Sequence, residues 1–422
     1  MNQISLMMPR QLRRTGIRKG VLADLALKIL YLHGEMSLIE LSEHIRLGMG
    51  VVEEIFQFLR KEQFCEVKGM SVGSHRIAAT NAGKHRGSEL LSSNQYAGPA
   101  PVSLADYSTR VGMQSVRHSK FQPSDIMRAV YPLVLDQEVL LRLGTAVVSG
   151  AAIFLYGPAG TGKTSLATRI PDIYNDSVWI PYAVEIDGQI IALYDPGVHK
   201  MAPPSDAPDD PDLEESDKRW VLCKRPCVVA GGELSAEMLD LQFNSVTRYY
   251  TAPLQMKANN GVLLLDDFGR QRMRPEELLN RWMTPLDRGV DFLTLSGGKK
   301  FELPFDLFVV FATNLDPLQL ADDAFLRRIP NKIHLDYARR DQFLEIFRSE
   351  CQLRMLHFDP EVAEYLADYI TDEMKQPLSQ CFARDVINQI SWTANYQGLE
   401  PQLTREVLEQ ACRAYFLPPA ID

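Results

Sequence analysis

The stretch Ile153-Phe-Leu-Tyr-Gly157-Pro-Ala-Gly-Thr-Gly162-Lys163-Thr164 decides the fold of this chain. Its first four residues are apolar, as in a buried strand, and they lead into a glycine-rich loop that ends in Lys-Thr. Residues 165–170 then read as a helix. This is the complete G-x-x-x-x-G-K-[ST] pattern, in the strand–loop–helix context that the pattern requires. The sequence therefore predicts a loop that binds the phosphates of a nucleotide.

The chemistry of this loop suits an anion. Glycine lets successive backbone N–H groups point inward, and the N-terminus of the following helix adds partial positive charge. Lys163 can reach the β- and γ-phosphates, and the hydroxyl of Thr164 can ligate Mg²⁺. The residues expected to bind the nucleotide are Gly157, Pro158, Ala159, Gly160, Thr161, Gly162, Lys163, Thr164 and Ser165.

Two further apolar runs end in polar side chains. Residues 261–265 lead into Asp266 and Asp267, and residues 307–313 lead into Asn314. Buried parallel strands deliver such side chains to a site at their carboxyl ends. We expect Asp266 to hold Mg²⁺, directly or through water, and Asp267 to polarise the attacking water. Asn314 either bonds the γ-phosphate or that water, or it merely ends a strand.

Length and composition limit the class of protein. A chain of 422 residues suggests two or three domains, and 45% hydrophobic with 23% charged residues is ordinary for a globular protein. The sequence contains no run of 18 apolar residues, so no membrane span is predicted. Six scattered cysteines do not make a disulfide framework, so a cytoplasmic location is expected. The net charge of −9 argues against a protein that binds nucleic acid over its whole surface, though not against a local basic patch.

The chain divides into five segments on composition and periodicity. Residues 1–20 are a basic tail, either solvated or in contact with an acidic partner or nucleic acid. Residues 21–87 read as a small helical domain with a hairpin, and 88–129, rich in Ser, Gly, Pro and Ala, as a linker. Residues 130–337 form the α/β nucleotide-binding domain. Residues 338–422 are helical throughout.

The domain at 21–87 resembles a winged helix-turn-helix, because three helices are followed by two short strands. Its third helix carries Glu53, Glu54 and Glu62, whose negative charges would be repelled by DNA phosphates. Protein contact is therefore favoured over DNA recognition. Basic residues near the hairpin keep the second alternative open: Lys68, His75, Arg76, Lys84 and Arg86.

Two other stretches allow alternatives. Residues 201–217 are acidic and Pro-rich, which is typical of a mobile surface loop, or of a docking segment. Tyr249 and Tyr250 either pack locally or grip a polypeptide in the pore of a ring.

The order of these parts resembles that of AAA+ ATPases over residues 130–415. Residues 157–164 match the Walker A motif of that family, 262–267 its Walker B and 312–314 its sensor-1 segment. A hairpin at 293–303, just before the sensor-1 strand, is similar to that of the MoxR-like group. The resemblance implies a fold of class α/β: a P-loop AAA+ core with a parallel sheet between helices, and an all-helical C-terminal lid. The winged-helix-like α+β domain precedes it.

The resemblance also implies three functional arginines, and the chain departs from the family pattern at one position. Arg327 and Arg328 stand where the family carries its arginine finger, with Arg328 preferred, and Arg384 stands in the place of the sensor-2 arginine. The family usually ends Walker B in Asp-Glu, whereas this chain has Asp266-Asp267. The shorter side chain at 267 predicts slow turnover. A finger from the next subunit requires an oligomer, and a hexameric ring is expected.

Three functions follow from this interpretation. The first is a ring ATPase that uses ATP and Mg²⁺ to remodel a partner protein, in the manner of MoxR-like chaperones. The second is a nucleic-acid motor or loader that acts through residues 1–87. The third is an assembly scaffold that binds ATP and hardly hydrolyses it.

Overall fold

The computed structural model describes residues 6–71, 73–203, 216–320 and 322–416. Its N-terminal domain is a three-stranded antiparallel sheet packed on helices, with β3 between β1 and β2. The elements in chain order are α1 (Lys19–His33), β1 (Glu35–Ser37), α2 (Leu38–Ile45), α3 (Met49–Lys61), β2 (Cys65–Ser71), β3 (Ser74–Ala79) and α4 (Asn81–Ser93).

Local sequence accounts for the helices of this domain. Ser37 accepts a hydrogen bond from the backbone N–H of Glu40, and the Glu40 carboxylate accepts one from the N–H of Ser37. This reciprocal cap starts α2. In α1, Leu22, Leu25 and Ile29 recur at helical spacing and lie in the buried core.

The segment 88–129 differs from the predicted linker. It holds the end of α4, a 3-10 turn at Val116–His118 and three further elements, with buried apolar side chains at Val102, Tyr107, Val111 and Val116. The polar residues that suggested a linker act as helix starts instead, since the Ser103 hydroxyl accepts the N–H of Asp106. The three elements are β4 (Val102–Ser103), α5 (Leu104–Met113) and α6 (Pro123–Val130).

The centre of the chain is a parallel sheet of five strands in the order β10-β13-β16-β5-β17. All of its neighbouring strands run parallel, and the four residues of β13 are fully buried. Helices cover both faces, as burial on two sides requires. The elements of this part are α7 (Gln137–Ser149), β5 (Ile153–Tyr156), α8 (Lys163–Ala167), β6 (Ser177–Pro181), β7 (Ala183–Ile186), β8 (Gln189–Ala192), β9 (Trp220–Lys224), β10 (Cys227–Ala230), β11 (Gln242–Phe243), β12 (Tyr250–Thr251), α9 (Leu254–Lys257), β13 (Val262–Leu265), α10 (Pro275–Arg288), β14 (Val290–Thr294), β15 (Lys300–Pro304), β16 (Phe308–Thr313), α11 (Pro317–Leu320), α12 (Asp323–Leu326) and β17 (Asn331–His334).

A second five-stranded sheet has the order β11-β12-β8-β7-β4. The β7–β8 hairpin turns at Asp187 and Gly188, whose φ angles of 53° and 84° suit an Asp-Gly turn. Tyr250 is 2% exposed in β12, and the ring of Tyr249 contacts Tyr96 edge-on. Both tyrosines therefore pack locally, which removes the pore-gripping alternative.

Arg219 joins the N-terminal domain to this part of the chain. Its guanidinium forms a buried ion pair with Asp217 at 2.7 Å, and both side chains are at most 5% exposed. It also donates to the carbonyl of Thr15 at 3.0 Å and to that of Pro101 at 3.1 Å. Part of the predicted tail is thus packed against the protein. Residues 1–5 and residues 204–215 lie outside the described residues. The latter are the middle of the acidic stretch 201–217 predicted as a mobile loop. At the end of that stretch, Asp217 is buried and paired with Arg219, so the prediction does not hold there.

The C-terminal region is a bundle of helices with its own apolar core. Its helices are α13 (Arg340–Leu353), α14 (Pro360–Asp368), α15 (Gln380–Gln397) and α16 (Arg405–Tyr415), with a π-helical turn, Tyr369–Glu373, after α14. The α/β P-loop core with a helical lid is therefore confirmed. Among the residues described, no helix is both long and apolar enough to cross a membrane.

Candidate active site

Three neighbouring strands bring the predicted site residues to one edge of the parallel sheet. The phosphate-binding loop follows β5, the two carboxylates follow β13, and Asn314 follows β16, which lies between those strands. Together with the lid they enclose a cleft of about 340 Å³. Its lining includes Gly160, Gly162, Lys163, Thr164, Ser165, Asp266, Asp267, Asn314 and Arg384.

The loop needs glycine where the backbone passes other parts of the protein. Gly157 has φ 140°, and a Cβ there would lie 2.1 Å from the carbonyl oxygen of Leu335. Gly160 has φ 78°, and its Cβ would lie 2.4 Å from the hydroxyl of Ser379 in the lid. Neither position accepts a side chain without movement of the backbone or the lid. The glycines thus allow both the tight turn and the approach of the lid.

Lys163 is folded onto the loop that carries it. Its Nζ donates to the carbonyls of Gly157 at 3.0 Å and Pro158 at 2.6 Å. Burial lowers the pKa of Lys163, and the nearby carboxylates of Asp267 and Asp266 oppose that effect. The ammonium group thus sits in the mouth of the loop, where an anion would give it a stronger partner.

Thr164 and Asp266 form the part of the site that suits a magnesium ion. The Thr164 hydroxyl donates to both carboxylate oxygens of Asp266, at 2.9 and 3.0 Å. Hydroxyl and carboxylate oxygens are hard ligands, and Mg²⁺ at nucleotide sites takes few protein ligands because phosphates and water supply the rest. These two residues therefore fit the ion and would hold it.

Asp267 and Asn314 face each other across the sheet edge. The Asn314 amide nitrogen donates to Oδ1 of Asp267 at 3.4 Å, a contact between two residues that the sequence had suggested separately. Asp267 has φ 49°, a conformation that few residues other than glycine adopt. Gln271 supports this turn, because its amide donates to the carbonyl of Asp266 and accepts from the N–H of Gly269, both at 2.8 Å.

The lid contacts the phosphate-binding loop directly, which sequence reasoning missed. The backbone N–H of Cys381, at the start of α15, donates to the carbonyl of Gly160 at 3.1 Å. Gln380 and Cys381 line the cleft with Arg384. The sequence carries no signal for this contact, because it depends on how two separately folded parts dock.

Four apolar side chains are also among the residues that line the cleft. Leu133 and Val134 come from the segment before α7, and Ile346 and Leu353 come from α13. Apolar lining of this kind suits the flat faces of a purine base. These four residues were not singled out from the sequence, since a purine site has no short motif of its own.

Arg327 and Arg328, the two candidates for the arginine finger, are not part of the cleft lining. Arg328 donates from Nε to Asp287 of α10 at 2.7 Å, and Arg327 is exposed. Within the described part of the chain, the cleft lining includes Lys163 and Arg384 but neither Arg327 nor Arg328. A single subunit thus does not bring this pair to its own site.

Comparisons with known proteins give limited similarity. A family model described as a domain of unknown function, DUF8689, matches residues 339–414, the lid. A comparison with curated proteins finds no match.

Solved structures resemble the chain over about two thirds of its length. NtrX from Brucella abortus in complex with ATP has 13% identity and a TM-score of 0.40, covering 74% of this chain and 62% of its own. The Thermotoga maritima RuvB Holliday junction branch migration motor has 14% identity and a TM-score of 0.38, covering 68% of this chain and 73% of its own. A point mutant of that RuvB has 12% identity and a TM-score of 0.40, covering 67% of this chain and 70% of its own. The fold assignment rests on the sheet order and site geometry described above.

Proposed function

We propose that this protein is an AAA+ ATPase that hydrolyses Mg²⁺-bound ATP. The observation that supports this proposal is the meeting of the phosphate-binding loop, the Thr164–Asp266 pair and the Asp267–Asn314 pair at one edge of the sheet. These are the parts that phosphoryl transfer to water requires: a phosphate cradle, metal ligands and a group that orients water.

Each residue has a defined task in this mechanism. ATP draws Lys163 away from its two carbonyl partners and onto the β- and γ-phosphates. Thr164 and Asp266 would hold Mg²⁺, which would supply positive charge against the negative charge that develops on the transferred phosphoryl group. Asp267 accepts a hydrogen bond from the attacking water and orients it toward the γ-phosphorus. Asn314 fixes the Asp267 carboxylate and donates to the water or the γ-phosphate.

The active enzyme is a ring, with a hexamer as the expected form. Charge on the transferred phosphoryl group calls for a guanidinium, and Arg327 and Arg328 are not among the residues that line their own cleft. Arg328 of a neighbouring subunit, with Arg327 as the alternative, is the proposed finger. The β14–β15 hairpin directly before β16 supports the MoxR-like assignment.

The proposed client is a protein rather than a nucleic acid. Within the winged-helix-like domain, Lys68 pairs with Glu66 and Arg76 pairs with Glu35, both at 2.7 Å, so two of the five basic residues named near the hairpin have acidic partners. The N-terminal segment also covers the first turn of α3, since a Cβ on Gly50 would lie 2.8 Å from the carbonyl oxygen of Arg10. That turn is the part of a recognition helix that enters the major groove.

Substitution of Asp267 tests this proposal. Asp267→Asn is expected to lower steady-state phosphate release by at least about tenfold and to keep ATP binding, because only the orientation of water is lost. The same variant should trap the ATP-bound state, and a pull-down with it should recover a protein client. Unchanged hydrolysis in Asp267→Asn would remove the catalytic role and favour a scaffold. Recovery of nucleic acid alone would favour a motor or loader.

A further inference from the structure

Arg384 is held in the cleft through one atom of its guanidinium. Its Nε donates to Oδ1 of Asp385 at 2.8 Å, and the side chain is 52% exposed. Within residues 6–416 as far as they are described, its two terminal nitrogens make no hydrogen bond to the protein. The fork of N–H groups that matches a phosphate is therefore available.

Asp385 is in turn fixed by α16. The hydroxyl of Tyr415 donates to Oδ2 of Asp385 at 2.9 Å, while Oδ1 receives Arg384. The Tyr415 ring packs edge-on against Phe382 and Phe416. Burial, followed by the hydrogen bond to Asp385, raises the pKa of Tyr415, so the hydroxyl keeps its proton at neutral pH. Each carboxylate oxygen thus has one donor, and the carboxylate cannot turn freely.

Neighbouring positions on a helix point about 100° apart, so consecutive side chains do not normally face each other. Arg384 must fold back along the helix surface to reach Asp385. That bend determines where its terminal nitrogens lie, and the residue lines the cleft beside Gln380 and Cys381.

We propose that Asp385 and Tyr415 are positioning residues that aim the terminal nitrogens of Arg384 at the γ-phosphate. The inference rests on the proposed ATPase function. A guanidinium held by Nε offers two parallel N–H groups to phosphate oxygens, and it does so without a search through side-chain rotamers. The chain Tyr415–Asp385–Arg384 therefore gives the site its preference for a nucleoside triphosphate over a diphosphate.

The test compares affinities for Mg²⁺-ATPγS and Mg²⁺-ADP by calorimetry. For Asp385→Ala and for Tyr415→Phe, we expect ATPγS to bind about threefold to tenfold more weakly and ADP to bind as in the wild type. A merely structural role would weaken both nucleotides together. In an Arg384→Ala background, Asp385→Ala should cause no further loss, because it acts through that arginine.

The chain offers a matched control in the same bundle. Tyr365 donates to Glu409 at 2.5 Å, another tyrosine–carboxylate bond to α16 that does not contact Arg384. Tyr365→Phe should leave the ATPγS-to-ADP ratio unchanged. If Asp385→Ala does not fold, Tyr415→Phe carries the test, since it keeps the ring. An unchanged ratio in Tyr415→Phe, or additive losses in the double variant, overturns the inference while the ATPase proposal stands. Absence of nucleotide binding by the wild type overturns both.

Discussion

Lys163 illustrates how single residues prepare the site for its ligand. Its ammonium group satisfies two loop carbonyls, which the phosphate oxygens of a nucleotide would replace. Burial disfavours the charged form of Lys163, as its lowered pKa indicates, and a neighbouring anion would favour that form. Lys163 is therefore the side chain of the loop that we expect to contribute most to phosphate binding.

We expect Lys163→Ala to weaken ATP binding by at least about tenfold, because a charge-assisted hydrogen bond contributes roughly 1.5–3 kcal/mol. Equilibrium binding of a fluorescent ATP analogue measures this. Lys332 is a suitable control, since its Nζ also donates to two backbone carbonyls, those of Leu326 and Ile329, and it does not line the cleft. Lys332→Ala should bind ATP normally; an equal loss in both variants would contradict the assignment.

At the scale of elements, a buried polar network joins the segment after α5 to the central sheet. The guanidinium of Arg225 pairs with Asp176 at 2.6 Å and donates to the carbonyls of Gln114 and Asn260. The amide nitrogen of Asn260 donates to Asp306 at 2.6 Å. Removal of the guanidinium leaves several buried acceptors without a partner, which is more costly than the loss of one surface bond.

Arg225→Met should therefore destabilise the protein by about 2 kcal/mol, because buried acceptors left without a donor cost roughly 1–3 kcal/mol. Thermal unfolding of the nucleotide-free protein measures the effect. Arg274→Met is the matched control, because Arg274 pairs with Glu277 at 2.8 Å on an exposed surface. Its expected change is below about 1 kcal/mol. Similar melting temperatures for the two variants would show that the network contributes little.

The elements that could be predicted from the sequence are those that local signals determine. Local signals identified α10, which begins at Pro275 and ends before Gly289, and the Asp187–Gly188 turn, because capping and turn residues act on their immediate neighbours. The site residues Lys163, Asp266 and Asn314 also followed from local patterns, since parallel strands end at one edge.

Segment 104–119 was missed for a physical reason. Its apolar positions are few and widely spaced, and their partners are distant in sequence: Ser115 bonds Asp306, and Tyr107 bonds Asn259. The contact between Cys381 and Gly160 was missed for the same reason. Docking of separate parts is determined by complementary surfaces, which a single sequence does not display.

At the scale of the whole molecule, the proposed finger makes the site a property of two subunits. A subunit with Arg328→Ala keeps its own loop and carboxylates but would deprive its neighbour of a guanidinium. A subunit with Lys163→Ala keeps Arg328 but lacks an intact loop. Each variant alone should be inactive, for opposite reasons.

We expect a mixture of the two inactive variants to recover ATP hydrolysis, because some interfaces combine an intact loop with an intact finger. Arg328→Ala alone should bind ATP within about threefold of the wild type and hydrolyse at least about a hundredfold more slowly. Phosphate release as a function of mixing ratio is the measurement. Arg327→Ala mixed in the same way identifies which arginine acts. No recovery with either arginine would argue against a shared site.

Arg219 has a consequence for the order of folding. Its guanidinium binds the carbonyl of Thr15, 204 residues earlier in the chain, and that of Pro101, 118 residues earlier. Contacts over such separations close large loops and form late, whereas the core of α1 to α4 is made largely of nearby residues. During synthesis, the N-terminal domain can therefore fold early. It can form its Arg219 contacts with the rest of the protein only after residue 219 has left the ribosome.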